Sequence, residues 1–316
     1  MTTLLHRTIA VFRANYLHRS LLLCVSLPVL SAIFLGFGIL FLIAPHAAPA
    51  QTPGEVISQQ KISAINGGFD AGTLNSRRFG DGAAGIGDID GDGVPDMLVG
   101  APFDNSRPTR TVTGAVYVLF LNQDGTVKDQ QKIADDTGGL DFDTLFTRDF
   151  FGSSVAGVGD IDGDGVPDVL VGSPGYNSGA LTRNSGAAYV LLLNEDGTVK
   201  EQQRIANGVG GLAPGTLDEN DAFSTGTAGI GDIDGDGLPD VLVGAPFDDD
   251  GSDNAGAAYV LRLNEDGTVK AQQKISNTTG VLDPGPLSEG DNFGSGAAGI
   301  GDIDGDGLPD VLVGAP

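Results

Sequence analysis

Beyond residue 50 the chain has no histidine and no cysteine, and it has no tryptophan anywhere. Its three histidines are His6, His18 and His46, and its one cysteine is Cys24. The side chains most often used as general bases and nucleophiles are therefore missing from most of the sequence, and we expect a protein that is not an enzyme. No disulfide can form beyond residue 50. The lack of tryptophan counts against carbohydrate binding, in which aromatic rings pack on sugars.

Positive charge is also scarce. The chain has 17 Lys and Arg residues against 42 Asp and Glu residues. Three of the basic residues, Arg7, Arg13 and Arg19, lie before residue 51, where there is no acid, so the remainder has 14 basic and 42 acidic residues and a formal charge of −28. Nucleic acids and anionic lipids bind positive patches, so this composition excludes nucleic acid as an expected partner.

One long apolar run is present, at residues 21–43, after a basic region at 1–20. Its 23 residues are long enough to cross a bilayer as a hydrophobic helix, and the preceding arginines predict that the rest of the chain is exported. Ala48-Pro49-Ala50, in a linker at 44–58, resembles a signal-peptidase site. The run is therefore a cleaved signal peptide core or a retained membrane anchor, and it is the one expected contact with a membrane. The protein is expected to be secreted or at the cell surface.

Beyond the linker, a decapeptide of the form Gly-Asp-Ile-Asp-Gly-Asp-Gly-(Val/Leu)-Pro-Asp occurs four times, at 87–96, 159–168, 231–240 and 301–310. Aspartates at loop positions 1, 3, 5 and 9 direct alternate carboxylates toward one centre, and position 7 can offer its carbonyl oxygen. This pattern predicts about four Ca²⁺ sites, one per loop. The predicted ligands are Asp88, Asp90, Asp92, Val94 and Asp96; Asp160, Asp162, Asp164, Val166 and Asp168; Asp232, Asp234, Asp236, Leu238 and Asp240; and Asp302, Asp304, Asp306, Leu308 and Asp310.

Two alternatives to this interpretation are weaker. An EF-hand would need a glutamate at position 12 and flanking helices, but position 12 of the first loop is Val99, in an apolar run that predicts a strand. Magnesium is a poorer candidate than calcium, because a cage of protein carboxylates and a carbonyl suits the larger ion. Gly91 and Gly93 let the chain curl around an ion, and Pro95 directs the exit of the loop.

The first aspartates of successive loops are separated by 72, 72 and 70 residues, which suits one multi-stranded sheet per repeat. In the first repeat we predict four strands, at Gly82–Gly87, Pro95–Pro102, Gly114–Leu121 and Thr126–Ile133, the last two joined as a hairpin. The predicted fold is all-β, with four-stranded sheets as the blades of a β-propeller. The small residues of each first strand are those expected where blades converge on an axis. The repeats are about 59–133, 134–205, 206–275 and an incomplete 276–316.

Phe79-Gly80, the first calcium loop and the segment Val99-Gly100-Ala101-Pro102 together resemble the FG-GAP repeat of the integrin alpha-subunit β-propeller. The resemblance covers about residues 59–316. It implies that each blade holds Ca²⁺ between its first and second strands, with the ninth-position aspartate often bidentate. Two departures are conservative in size: Ser173 replaces an alanine of the GAP motif, and Phe223-Ser224 replaces Phe-Gly.

The resemblance stops short of a full propeller. Such propellers usually close with seven blades, whereas this chain carries about three and a half. The pattern begins inside a unit, where Gln59–Ile62 aligns with Gln130–Ile133 as the remnant of a last strand, and it stops inside a unit at Pro316. We expect either a fragment of a longer protein or an open array, and an exposed edge at the incomplete unit. No Arg-Gly-Asp tripeptide and no inserted adhesion domain are seen.

The expected function is an exported calcium-binding propeller module for adhesion or protein–protein interaction. The alternatives are a carbohydrate-binding propeller, a structural surface repeat and a non-catalytic accessory region of a larger enzyme. The unknown protein or glycan ligand is expected on the face opposite the calcium loops, where the loops vary most among repeats. These loops are 103–113, 175–185 and 247–255 within the repeats, and 134–149, 206–222 and 276–291 between them.

Overall fold

The computed structural model describes residues 56, 58–70, 72, 74, 78–105, 110–177, 183–280, 282 and 287–316. The predicted segments at 1–20 and 21–43 lie outside these residues. The described part contains fourteen β-strands and no α-helix. No helix in it is long and apolar enough to cross a membrane. The prediction of an all-β fold is confirmed.

The strands form three sheets of four strands and one sheet of two. The first sheet is β1 (Ala83–Gly87), β2 (Asp96–Ala101), β3 (Ala115–Leu121) and β4 (Val127–Ile133). The second is β5 (Val155–Gly159), β6 (Asp168–Ser173), β7 (Ala187–Leu193) and β8 (Val199–Ile205). The third is β9 (Thr227–Gly231), β10 (Asp240–Ala245), β11 (Ala257–Leu263) and β12 (Val269–Ile275). The last is β13 (Gly296–Gly301) and β14 (Asp310–Gly314).

Within each sheet the strands follow chain order and pair antiparallel, which is the topology of a propeller blade. We call the four sheets blades 1 to 4. The first-repeat strands lie within one residue of the predicted bounds, because glycine, proline and Asx turns mark their ends. Between β3 and β4, Gly125 takes the left-handed conformation (φ 79°) and its N–H bonds to the carbonyl of Asn122 at 2.8 Å.

The first strands of successive blades approach to backbone contact. A Cβ atom on Gly157 of β5 would lie 2.7 Å from the carbonyl oxygen of Gly85 in β1. The same relation joins Gly229 to Gly157, at 2.4 Å, and Gly299 to Gly229, at 2.5 Å. The four blades therefore converge at their first strands, and glycine is required there because any side chain would occupy the position of the neighbouring backbone.

The phenylalanine just before the first strand of a blade, as in the Phe-Gly dipeptide at 151–152, contacts two blades. Phe151 is fully buried and packs edge-on against Tyr189 of its own blade, with ring centroids 5.4 Å apart. Its N–H donates to the carbonyl of Thr113 in blade 1 at 3.0 Å. Close by, a Cβ on Gly100 would lie 1.9 Å from the carbonyl oxygen of Gly152. The Phe-Gly dipeptide of one blade and the glycine of the GAP motif of the preceding blade thus form one contact between the two blades.

The turns that leave each blade also contact the next one. The N–H of Val199 in β8 donates to the carbonyl of Gly138 at 2.8 Å, and the N–H of Val127 in β4 makes the same bond to Gly67.

The expected strand remnant at Gln59–Ile62 is wrong, because these residues form no strand. In a complete blade the last strand pairs with the third strand of the same sheet. The described residues contain no such third strand next to Gln59–Ile62, and a strand needs a neighbour for its backbone hydrogen bonds.

Candidate metal centres

Each predicted calcium loop connects the first and second strands of a blade and is organised by its first aspartate. In blade 1 the carboxylate of Asp88 accepts hydrogen bonds from the N–H of Gly93 at 2.8 Å and from that of Asp92 at 3.1 Å. The equivalent bonds to position 6 measure 2.9 Å at Asp160, 2.8 Å at Asp232 and 3.0 Å at Asp302. Gly91 and Gly93 are both left-handed, with φ 71° and 88°, as the tight curl requires.

The ninth-position aspartate ties the loop to the sheet. Asp96 is 1% exposed, and its two oxygens accept hydrogen bonds from the N–H groups of Ile89 in the loop and Leu121 in β3, both at 3.0 Å. Asp168 and Asp240 repeat both bonds. Burial raises the pKa of Asp168 to about 6. Sequence reasoning assigned this residue only to the metal and missed its bond to the third strand.

Carboxylate oxygens converge in all four loops. In the first three, the aspartates at positions 1, 3 and 9 each offer an oxygen within 4.8 Å of the others; in the fourth, positions 1, 3 and 5 do so. Ligands held 2.3–2.6 Å from one cation lie at most about 5 Å apart, so this donor set fits a hard cation such as Ca²⁺. The groups are Asp88, Asp90 and Asp96; Asp160, Asp162 and Asp168; Asp232, Asp234 and Asp240; and Asp302, Asp304 and Asp306.

The fifth-position aspartates of the first three loops lie outside these groups, and each bonds to a lysine. Asp92 bonds to the ammonium of Lys128, and Asp164 lies 2.7 Å from that of Lys200. The lysine hydrogen bond holds the pKa of Asp92 below its usual value. Position 7 donates its N–H to this aspartate, from Val94 at 2.9 Å in the first loop. The role of the position-7 carbonyls of Val94, Val166, Leu238 and Leu308 as ligands stays a prediction.

The variable loops come together in pairs at the opposite ends of the strands. In blade 1, Arg110 of loop 103–113 lies 2.7 Å from Asp143 of loop 134–149 and stacks over the ring of Phe146 at 4.7 Å. In blade 3 the N–H of Gly290 donates to the carbonyl of Asp253 at 3.0 Å. We call this side of the blades the loop face.

Among the described residues, a partly buried ion pair lies beneath the loop face of blades 1 and 3 but not of blade 2. Lys132 and Asp104 are 2.8 Å apart, and Lys274 and Asp248 are 2.9 Å apart. In blade 2 the equivalent position of the acid is Tyr176, and the lysine is replaced by an arginine whose guanidinium stacks 4.9 Å above its ring. The sequence analysis missed this difference, although aligning the three repeats would have shown it.

Asp149 has the most unusual environment on the loop face. It is 1% exposed, and one oxygen accepts the N–H of Phe146 at 2.7 Å, while the other has no hydrogen-bond partner among the described residues. Burial raises the pKa of Asp149 to about 7. It lines a cavity of about 360 Å³ together with Phe146, Tyr176 and Asn177.

These observations define a protein of tandem four-stranded propeller blades with an acidic loop in each. Comparison with protein families agrees: the FG-GAP repeat matches residues 79–119, 151–191 and 225–261. The chain is therefore an FG-GAP repeat protein.

Its relatives include integrin alpha subunits. Integrin alpha pat-2 of Caenorhabditis elegans is 30% identical over 233 residues, and integrin alpha-3 of Cricetulus griseus is 34% identical over 211 residues. These alignments cover 72% and 66% of this chain but 17% of each relative. A phosphatidylinositol-glycan-specific phospholipase D of Bos taurus is 32% identical over 162 residues, which is 51% of this chain and 18% of that enzyme. The chain thus spans less than a fifth of the length of these relatives.

Proposed function

We propose that residues 59–316 form an exported calcium-binding β-propeller module for adhesion or protein–protein interaction. The observation that carries the proposal is the convergence of three carboxylates, within 4.8 Å of one another, in each of four loops. The carboxylates would hold one Ca²⁺ per loop, and the ion would offset the repulsion among them. The similarity to integrin alpha subunits supports a role in binding a protein ligand.

The role of the metal in this proposal is to stabilise each blade. The first aspartate of a loop holds the loop backbone, and the ninth binds the third strand through Leu121, Leu193 or Leu263. A cation shared by these aspartates would link the loop, the second strand and the third strand. Because the ion binds the folded loop, it raises the free energy of unfolding by mass action. We expect affinities on the order of 10⁻⁴–10⁻³ M, as in other extracellular modules.

The loop face offers a surface suited to a protein partner. Between blades 2 and 3 it contains an apolar depression of about 420 Å³ lined by Phe150, Pro174, Ala222 and Phe247, among others. Phe247 is 44% exposed at this depression. The three acids at 248–250 are already bound within the chain, for example Asp250 to Ser276 at 2.6 Å. Apolar side chains at the centre of the partner's surface would therefore supply the affinity.

Calcium binding and partner binding are tested by separate experiments. Calorimetry and thermal unfolding of the full chain in mild detergent, with calcium and with chelator, should show calcium binding and a raised Tm. An unchanged Tm and no calcium heat would refute the metal sites.

Partners captured from the extracellular fraction should be lost with Phe247→Ser and kept with Phe142→Ser, which removes an exposed ring outside the depression. Equal capture by both variants would refute the proposed surface.

Export has its own test. If the segment at 21–43 is a cleaved signal, the mature N-terminus should be Gln51. If it is an anchor, the intact chain should be recovered from membranes with detergent alone. Recovery of the intact chain in the cytoplasm would contradict both forms of the proposal.

A second candidate function is a non-catalytic accessory region of a larger enzyme. The similarity to a phosphatidylinositol-glycan-specific phospholipase D favours it. In that case the chain alone should not hydrolyse phosphodiesters, with or without calcium, and it should bind the substrate or the catalytic part of such an enzyme. Hydrolysis by the purified chain would contradict a non-catalytic role.

A further inference from the structure

In every complete blade, a lysine of the fourth strand contacts the predicted calcium loop. The ammonium of Lys128 is 2.6 Å from Asp90 and also bonds to Asp92. Lys200 lies 2.5 Å from Asp162 and 2.7 Å from Asp164. In blade 3, Lys270 lies 3.0 Å from Asp234 and 2.5 Å from Asp236. In each case one lysine bridges the carboxylates at loop positions 3 and 5.

A bulge in the sheet places this lysine. In blade 1 the pairing of β3 with β4 runs from Phe120 opposite Asp129 to Leu121 opposite Val127, so Lys128 has no opposite residue. The pairing skips Lys200 and Lys270 in the same way. Bulges redirect a side chain out of the strand pattern and often lie beside functional sites. The same irregularity thus aims a lysine at the loop in all three complete blades.

We propose that Lys128, Lys200 and Lys270 are built-in counter-ions that offset part of the negative charge of their loops and that Ca²⁺ must displace, so that they set the calcium affinity of their blades. This inference rests on the proposed calcium sites. Each ammonium holds two of the four predicted carboxylate ligands, so the ion can recruit position 5 only when the lysine leaves it. The lysines keep the loops folded at low calcium and weaken calcium binding.

Chemical labelling tests the displacement directly. The full chain in mild detergent is treated with an amine-reactive reagent in chelator and in excess calcium, and modification is measured by mass spectrometry. We expect calcium to increase labelling of Lys128, Lys200 and Lys270 several-fold, because their ammonium groups lose their carboxylate partners. Exposed Lys61 serves as the internal reference and should not change. Equal labelling of the three lysines in the two conditions, with calcium bound, would overturn the proposal.

Matched variants test the effect on affinity. Replacing all three lysines by methionine removes the charge, whereas replacing them by arginine keeps it. We expect the methionine variant to bind calcium about three- to tenfold more tightly per site, as repulsion between a unit charge and a divalent ion a few ångströms apart predicts. It should also have a lower Tm in chelator. Arginine should restore the weaker affinity.

The two proposals fail in different ways. If the wild-type chain and all variants give no calcium heat, the calcium sites themselves are refuted and the displacement with them. If calcium binds with the same affinity to the wild-type chain and to the methionine variant, the calcium sites stand and the counter-ion role is refuted.

Discussion

Ser173 and Ser224, the two residues that depart from the FG-GAP pattern, are hydrogen-bonded to each other. The N–H of Ser173 donates to the hydroxyl of Ser224 at 2.9 Å, and that hydroxyl donates to the carbonyl of Ala187 at 2.6 Å. Ser224 has φ 77°, in the left-handed region where the repeat normally has glycine. The hydroxyl bonds offset the backbone strain that serine accepts there.

This relationship predicts different losses of stability for two substitutions at one position. Ser224→Ala should lower the free energy of unfolding by about 1–3 kcal/mol, because it keeps the strained backbone and removes both bonds. Ser224→Gly should be close to neutral, since glycine relieves the strain while losing the same bonds. Chemical denaturation of both variants at fixed calcium measures the difference. Equal losses would show that the backbone strain is unimportant.

The glycine contact between blades predicts a large effect from a single methyl group. Gly157→Ala places a Cβ 2.7 Å from the carbonyl oxygen of Gly85 and should destabilise the chain by about 2 kcal/mol or more. Gly85→Ala is the matched control, because a Cβ there meets no atom within 4 Å. It should cost no more than about 1 kcal/mol. Similar melting temperatures for the two variants would contradict the convergence of first strands.

The independence of the four loops predicts that calcium sites can be removed one at a time. Asp90→Asn should abolish about one of four sites and leave the rest, because each group of converging carboxylates comes from a single loop. Calorimetric stoichiometry is the measurement. Asp129→Asn removes an equal charge from the exposed side of β4 and should keep all four sites. Loss of every site with Asp90→Asn would show that the blades are coupled.

Asp149 predicts an unusual pH dependence. Its folded-state pKa, about 7, lies above the usual aspartate value of 3.8, so folding takes up a proton between these pH values. The stability due to this group is full below about pH 4 and is lost as pH rises through 7. Asp149→Asn should therefore stabilise the chain at pH 8, on the order of 3 kcal/mol, with a gain that shrinks toward pH 4. Denaturation curves at both pH values measure it. A constant difference would refute the shifted pKa.

Blade 2 has an arginine stacked on a tyrosine where blade 1 has a lysine–aspartate ion pair. We therefore expect substitutions of the two basic residues to lower the free energy of unfolding by different amounts. Lys132→Met in blade 1 removes the ammonium that lies 2.8 Å from the fully buried Asp104 and should cost about 3 kcal/mol. Arg204→Met in blade 2 removes a guanidinium that stacks on Tyr176 and should cost about 1 kcal/mol. Urea denaturation of the two variants compares them, and an equal loss would contradict this account.

Much of the fold followed from local patterns. Loop glycines, Asx turns and runs of branched residues located the strands of blade 1 within one residue, since each is a preference of a few adjacent residues. The four-stranded unit followed from the repeat itself. The remnant at Gln59–Ile62 was misjudged because strand formation depends on a neighbour, which no local pattern shows.

The sequence by itself determined the acidic loops, their number and their place between first and second strands, because ligand spacing is set by the chain over nine residues. The tertiary structure decided which carboxylates meet. It bound Asp96 to the third strand, and it aimed Lys128 at Asp90 and Asp92 from a bulge more than thirty residues away. It also gave Ser224 its partner Ser173, from 51 positions earlier in the chain. Contacts between residues so far apart depend on how strands align and blades pack, which is a property of the whole fold.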